Sequence, residues 1–311
     1  MSRLLLHQLI VIASCIILSA APSPPLSAQT GQTLEEAEVE LKALFDTINS
    51  LVDDSERVRY GDEFSSALQH TLSIEGSFDY PFLLLSIVSK LTSSGETIRI
   101  FTWNIPQHSG ENRFYGMIQV RKTPADKPVV TRLVDQFSEI TEPAEDLLTP
   151  NRWYGAIYFK MIENQTQHGE TFYTLLGWRG TNMLITSKLI EILSITPSGE
   201  VRFGKPVFCN YGEQRPLRIL FSHSANATMV LRYEEQSFVT DKRWNARRKE
   251  FVYKQKKSWI IVCDRLIPAN PQLEGQYEYY TPAGDVLDGF VFTKGCWNFI
   301  KQIDVRNPSE K

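Results

Sequence analysis

Apolar residues recur at helical spacing in one part of the chain only. Leu34, Leu41, Leu44, Phe45, Ile48, Leu51 and Val52 fall on one stripe, which predicts an amphipathic helix ending near Asp53. Thr33 and Glu36 precede it at the spacing of a capping box, in which each side chain satisfies a free backbone N–H. A second helix is expected over 56–71, with Gly61 as an interruption, because glycine weakens a helix interior. From Leu83 onward the pattern changes to short aromatic and β-branched runs separated by turn residues: 98–103, 114–120, 153–162, 171–178, 189–195, 217–223, 228–233, 251–254, 259–263, 277–280, 289–293 and 296–300. Many short strands between turn signals predict antiparallel β structure.

The expected fold is therefore mainly β, antiparallel, sandwich-like or propeller-like, with an N-terminal helical segment. The propeller alternative rests on two similar turns, Thr196-Pro197-Ser198-Gly199-Glu200 and Thr281-Pro282-Ala283-Gly284-Asp285. Their separation is about twice a four-stranded blade of roughly 40–45 residues. Strand–helix alternation and Gly-rich helix entries are missing, which disfavours a doubly wound α/β fold. Pro124, Pro128, Pro143 and Pro150 mark 123–150 as a loop-rich connection inside a β-rich region spanning 81–311. The acidic helical segment covers 29–80; between residues 34 and 63 ten acidic side chains face three basic ones, as on a solvated helical face.

The first residues set the compartment. Met1, Ser2 and Arg3 lead into an apolar stretch to Ala21, then Pro22, Pro24, Pro25 and the small residues Ser27 and Ala28. That layout reads as a signal peptide at 1–28 and an exported, periplasmic or extracellular protein, with an uncleaved anchor as the rival. Ile12-Ala13-Ser14-Cys15 has the residue types of a lipoprotein signal, so lipid anchoring through Cys15 is a minority alternative. No later stretch reaches the roughly 18 apolar residues of a membrane helix. Cleavage leaves Cys209, Cys263 and Cys296, hence at most one disulfide and one free thiol.

Composition narrows the chemistry. The 311 residues carry 33 Lys plus Arg and 36 Asp plus Glu, net −3, with 42% hydrophobic and 11% aromatic residues, an ordinary globular balance without the global basic field of a nucleic-acid protein. G-x-S-x-G, P-loop and Rossmann signatures are absent, so no nucleotide cofactor is expected. His70, His108, His168 and His223 are scattered and no C-x-x-C occurs, which leaves a zinc site without close-spaced ligands. Acid/base hydrolysis needs two converging carboxylates, for which Asp264, Glu274, Glu278, Asp285, Asp288 and Asp304 are the C-terminal candidates. Aromatics beside turns offer stacking platforms: Trp103 with Asn104, Trp178 with Arg179 and Asn182, and Tyr277, Tyr279 and Tyr280. Residues 242–257 hold Lys242, Arg243, Arg247, Arg248, Lys249, Lys254, Lys256 and Lys257 against Glu250, net +7, interleaved with Trp244, Phe251 and Tyr253. This run is either a solvated hairpin or a contact for an anionic surface.

Several segments carry a resemblance: FYTLLGWRGTN from Phe172, FGKPVF from Phe203, LFSHSANATMVLRY from Leu220, EGQYEYYTPAGDVLDGF from Glu274, and IRIFTWN from Ile98. In these the chain resembles an uncharacterised family of secreted bacterial β-rich proteins with no established activity. It departs at Cys263-Asp264-Arg265-Leu266, where F-D-H-L is more usual, and at Thr281-Pro282-Ala283-Gly284, where a G-P-D pattern is. The resemblance implies export and a shared β fold.

The resulting expectation is an exported, non-enzymatic binding or envelope-associated protein whose partner is a glycan or envelope protein, with Trp178, Arg179, Asn182, Asp264, Tyr277, Tyr279 and Asp288 as ligand contacts. The alternatives are a hydrolase of cell-envelope or dietary polymer and an assembly subunit of an envelope complex.

Overall fold

In the computed structural model, which describes residues 32–303 apart from 124, 213 and 214, two helices lead into a chain of strands. They are α1 (Leu34–Ser50) and α2 (Asp54–Thr71). The leader at 1–28, Cys15 and Asp304 lie outside the described residues. Asp53 caps α2 by accepting the Glu56 N–H at 2.9 Å, one of the orphan donors of a helix start. Gly61, an interruption in the sequence pattern, is where α2 meets the first sheet: a Cβ there would stand 2.3 Å from Ile105 Cδ1.

The first sheet is the meander β1 (Ser89–Thr92), β2 (Ile98–Pro106), β3 (Asn112–Val120) and β4 (Val129–Val134). A second contains β5 (Ile157–Gln165), β6 (Thr171–Gly180), β7 (Ile185–Ile195), β8 (Val201–Phe203) and, beyond β9 (Phe208–Cys209), the edge strand β10 (Ile219–Ser224). The third orders β11 (Leu231–Asn245), β12 (Glu250–Pro268), β13 (Tyr280–Thr293) and β14 (Cys296–Ile303), with β9 added parallel to β14. All other pairings are antiparallel.

Side-chain alternation turns these sheets into a stack. Phe101, Trp103 and Ile105 face α1 and α2, packing on Phe45, Phe64 and Leu68. Ile98 and Ile100, at the even positions of the same strand, face the second sheet through Tyr173, Leu175, Leu189 and Leu193. The opposite face of that sheet, Phe172, Leu176, Ile190 and Ile192, meets Ile261, Phe290 and Trp297 of the third. The order of layers is helices, sheet, sheet, sheet, which is sandwich-like rather than propeller-like. Strands buried on both faces read as apolar runs, which is why β2, β3, β6 and β7 were plain in the sequence.

Three expectations shift. The 277–280 run is a 3₁₀ turn, Tyr277–Tyr279, packed along β10, where it covers a sheet edge. The 251–254 and 259–263 runs are one strand, β12. Of the two similar turns, the first joins β7 to β8 and the second bulges within β13 opposite Arg265. The proline-bearing stretch 123–150 contributes β4 and then lies against the second sheet, with Leu148 bridged to Phe203.

Buried guanidinium groups fasten the irregular segments. Arg99 Nη1 donates to the carbonyls of Phe78 and Tyr80, each at 2.7 Å, and burial among Phe82 and Phe101 brings its pKa down to about 10. Arg218, fully buried, pairs with the equally buried Glu191 at 2.8 Å and donates to the carbonyls of Pro143, Asp146 and Phe203. Cys209 and Cys296 form a disulfide, and Cys263 is a buried free cysteine whose thiol pKa burial pushes well up.

Two outcomes are expected in urea titrations. Arg218→Met should cost about 3–5 kcal/mol, because it strands a buried carboxylate. Adding Glu191→Gln should recover part of this and not all, since three carbonyls stay unpaired. Replacing Cys209 and Cys296 together by Ser should cost about 2–4 kcal/mol, the usual worth of a long disulfide loop.

Candidate functional site

Trp178 and Asn182 line one cleft of about 300 Å³ at the ends of β6 and β7. The indole lies over Gly180: a Cβ on that residue would stand 2.9 Å from the ring. A glycine two positions along the strand thus leaves room for the ring against the sheet. Asn182 Oδ1 accepts the N–H groups of Leu184 and Ile185, both at 2.8 Å, so it shapes the turn.

Register brings in two residues that sequence did not assign. Lys188 on β7 is the direct partner of Trp178 on β6, and His223 on β10 is the partner of Thr186, two residues from Lys188. Both Lys188 and His223 line the cleft. Lys188 Nζ donates to the Met229 carbonyl at 2.5 Å, and burial lowers its pKa. His223 is 2% exposed. Its Nδ1 stands 2.8 Å from the Ser224 carbonyl, an acceptor, so Nδ1 carries the proton. Nε2 is left as a buried lone pair without a partner. Burial is the main cause of its lowered pKa, partly offset by the Ser224 hydrogen bond.

Arg179 does not belong to this cleft. Strand alternation sends it away from Trp178 and into the layer between the first two sheets. There it pairs with Asp135 at 3.1 Å, donates to the carbonyls of Tyr154 and Gly155, and lies over Phe114 and Phe137.

A second cleft, about 220 Å³, is lined by Asp264, Arg265, Tyr277, Tyr280 and Asp288. It gathers Asp264, Tyr277 and Asp288 from the sequence candidates, with Tyr280 in place of the exposed Tyr279. The two carboxylates share the cleft, yet both are engaged. Asp288 holds Arg265 through both oxygens and accepts the Gln302 N–H at 2.7 Å. Asp264 accepts the Val230 N–H at 2.6 Å. Arg265, the departure from F-D-H-L, is thus the cation that occupies Asp288. Glu274, Glu278 and Asp285 do not line the cleft.

A wider cavity, about 1130 Å³, opens at the other end of β6, between the turns near Lys122 and Thr196. Arg121, Lys122, Lys127 and Lys205 line it, and Lys205 is held by Glu170 at 3.0 Å. Among the described residues no three His, Cys, Asp or Glu side chains gather as a metal would require, and no helix is long and apolar enough to cross a membrane.

The basic run forms the outer part of the β11–β12 pair, closed by a turn at residues 246–249. Arg243, Arg247, Arg248 and Lys249 are all exposed there; the backbone of Lys242 is paired with that of Tyr253.

No protein-family model matches the chain, and no curated protein or solved structure matches it either.

The geometry around His223 carries a pH signature. With the folded pKa below the unfolded value, the unfolded chain takes up a proton near pH 6.5 that the native site refuses. Stability should therefore fall as pH drops below about 6.5, with a slope of at most about 1.4 kcal/mol per pH unit from this one proton. Comparing His223→Gln with the parent by denaturant titration from neutral to mildly acid pH should show that this slope has been removed.

Proposed function

We propose that the chain is an exported, non-enzymatic binding protein of the cell envelope that takes a ring-bearing acidic glycan in the Trp178 cleft. The observation that carries this reading is the indole laid over Gly180 beside Lys188 and His223. An aromatic face supplies stacking area, the ammonium attracts a carboxylate or phosphate, and the imidazole lone pair accepts a hydrogen bond from a hydroxyl group. The disulfide supports an oxidising compartment outside the cytoplasm. Hydrolysis is the weaker reading, because Asp288 is held in an ion pair and Asp264 caps a backbone N–H, whereas a general acid must hold and release a proton.

Calorimetric titration with an oligogalacturonate and with a neutral maltooligosaccharide tests the reading. Binding of the acidic oligomer is expected to weaken about 2- to 12-fold in Trp178→Ala, and Lys188→Gln should erase the preference for acid over neutral sugar. Release of reducing ends from either polymer that Asp264→Asn abolishes would overturn it in favour of the hydrolase.

A further inference from the structure

The pairing of β12 with β13 begins at Ile260, opposite Val291. Residues 250–259 therefore hydrogen-bond to β11 alone, and β11 is an edge strand. About ten residues on each side, at roughly 3.4 Å per residue, make a two-stranded ribbon roughly 30 Å long outside the three-sheet stack. Such a ribbon has little stability of its own in water, so its side chains bear on what the ribbon is for.

Charge is distributed unevenly along it. Near the sheet, Lys257 is neutralised by Glu235 at 2.6 Å. At the apex, Asn245 Oδ1 accepts the N–H groups of Arg247 and Arg248, each at 3.1 Å, and Lys249 takes a left-handed conformation with φ 51°. That turn presents three consecutive cations, of which Arg248 lies 3.7 Å from Glu250. Directly behind them Trp244 and Phe251 sit opposite each other, edge to face with ring centroids 5.0 Å apart. Both rings are about half exposed, at 55% and 48%, and Val252 beside them is at 46%. Arg243, Trp244, Val252 and Lys254 line a hollow of about 580 Å³ at this end.

The edge-to-face pair steadies the hairpin, yet about half of each ring and of Val252 stays in water. A polyanion in solution would satisfy the cations and leave those apolar side chains wet. A bilayer of anionic lipid meets both demands: headgroup charge for the apex cations, and an interfacial region in which Trp and Phe are favoured. We propose that the β11–β12 ribbon docks on an anionic lipid surface, with Arg243, Arg247, Arg248 and Lys249 on headgroup phosphates and Trp244, Phe251 and Val252 entering the interface. This surface is independent of the Trp178 cleft, and either can stand without the other.

The test is co-sedimentation of a chain starting at Gln29, which keeps the whole compact unit Leu34–Lys311, with phosphatidylcholine vesicles that contain or lack phosphatidylglycerol. Binding is expected only with the anionic lipid and should decline as salt is raised. Each apex cation removed should lower the partition about fivefold, so Arg247→Ser, Arg248→Ser and Lys249→Ser together lower it about a hundredfold. Trp244→Ala with Phe251→Ala should weaken binding at every salt concentration. Thermal melts of all variants should match the parent, since the substituted side chains lie outside the core. Failure of the parent to pellet with anionic vesicles overturns the proposal. So does binding to single-stranded DNA or polyphosphate that exceeds vesicle binding and ignores the aromatic substitutions, which would assign the ribbon to a polyelectrolyte.

Discussion

A stack of helices and three sheets encloses not only strands but the segments that join them, and every carbonyl in those segments must find a donor away from water. Arginine meets this constraint here. A guanidinium offers five N–H donors in a fixed fork, so a single strand residue can gather several loop carbonyls at once. Arg99 collects the chain between α2 and β1, Arg179 collects Tyr154 and Gly155, and Arg218 collects Pro143, Asp146 and Phe203. Two of the three also face a carboxylate, the partly buried Asp135 or the fully buried Glu191. Arg99 has rings of Phe82 and Phe101 instead, and burial without such a partner is what lowers its pKa.

This explains which parts of the fold were legible in the sequence. Strand identity was, because doubly buried strands are written as unbroken apolar and aromatic runs. The helices were, because their stripe meets a single sheet face. Segment 123–150 was not: its prolines announce irregular backbone, while its placement depends on Arg179 and Arg218, more than 40 residues away in sequence. The Tyr277–Tyr279 turn was taken for a strand because its aromatics do pack on a sheet, though along its edge. Gly61 and Gly180 illustrate the same limit. In sequence Gly61 is a break in pattern and Gly180 carries no signal; in space each is a close approach, to Ile105 and to the Trp178 ring.

The clefts were partly legible. Aromatic residues beside turns pointed to Trp178 and Tyr277, and acidic clustering pointed to Asp264 and Asp288. Adjacency misled at Trp178 and Arg179, since period-two alternation separates neighbours on a strand. Lys188 and His223 escaped because they reach Trp178 only through strand register, which local pattern does not specify. The charged ribbon was visible as composition, but its projection follows from where β13 stops pairing.

The three sheets are nearly segregated along the chain, so each layer can be laid down as its residues are synthesised. The exception is β9, a two-residue strand whose partner β14 is the last described element. Cys209 must therefore remain unpaired until Cys296 arrives, and Cys263 emerges between the two as a competing thiol. Its place among Phe290, Trp297 and Ile261, and a proton that burial makes hard to lose, withdraw it from exchange once the second and third sheets close. Closure of the third sheet thus brings Cys296 to Cys209 in the same step that encloses the competing sulfur, so packing and disulfide choice are settled together.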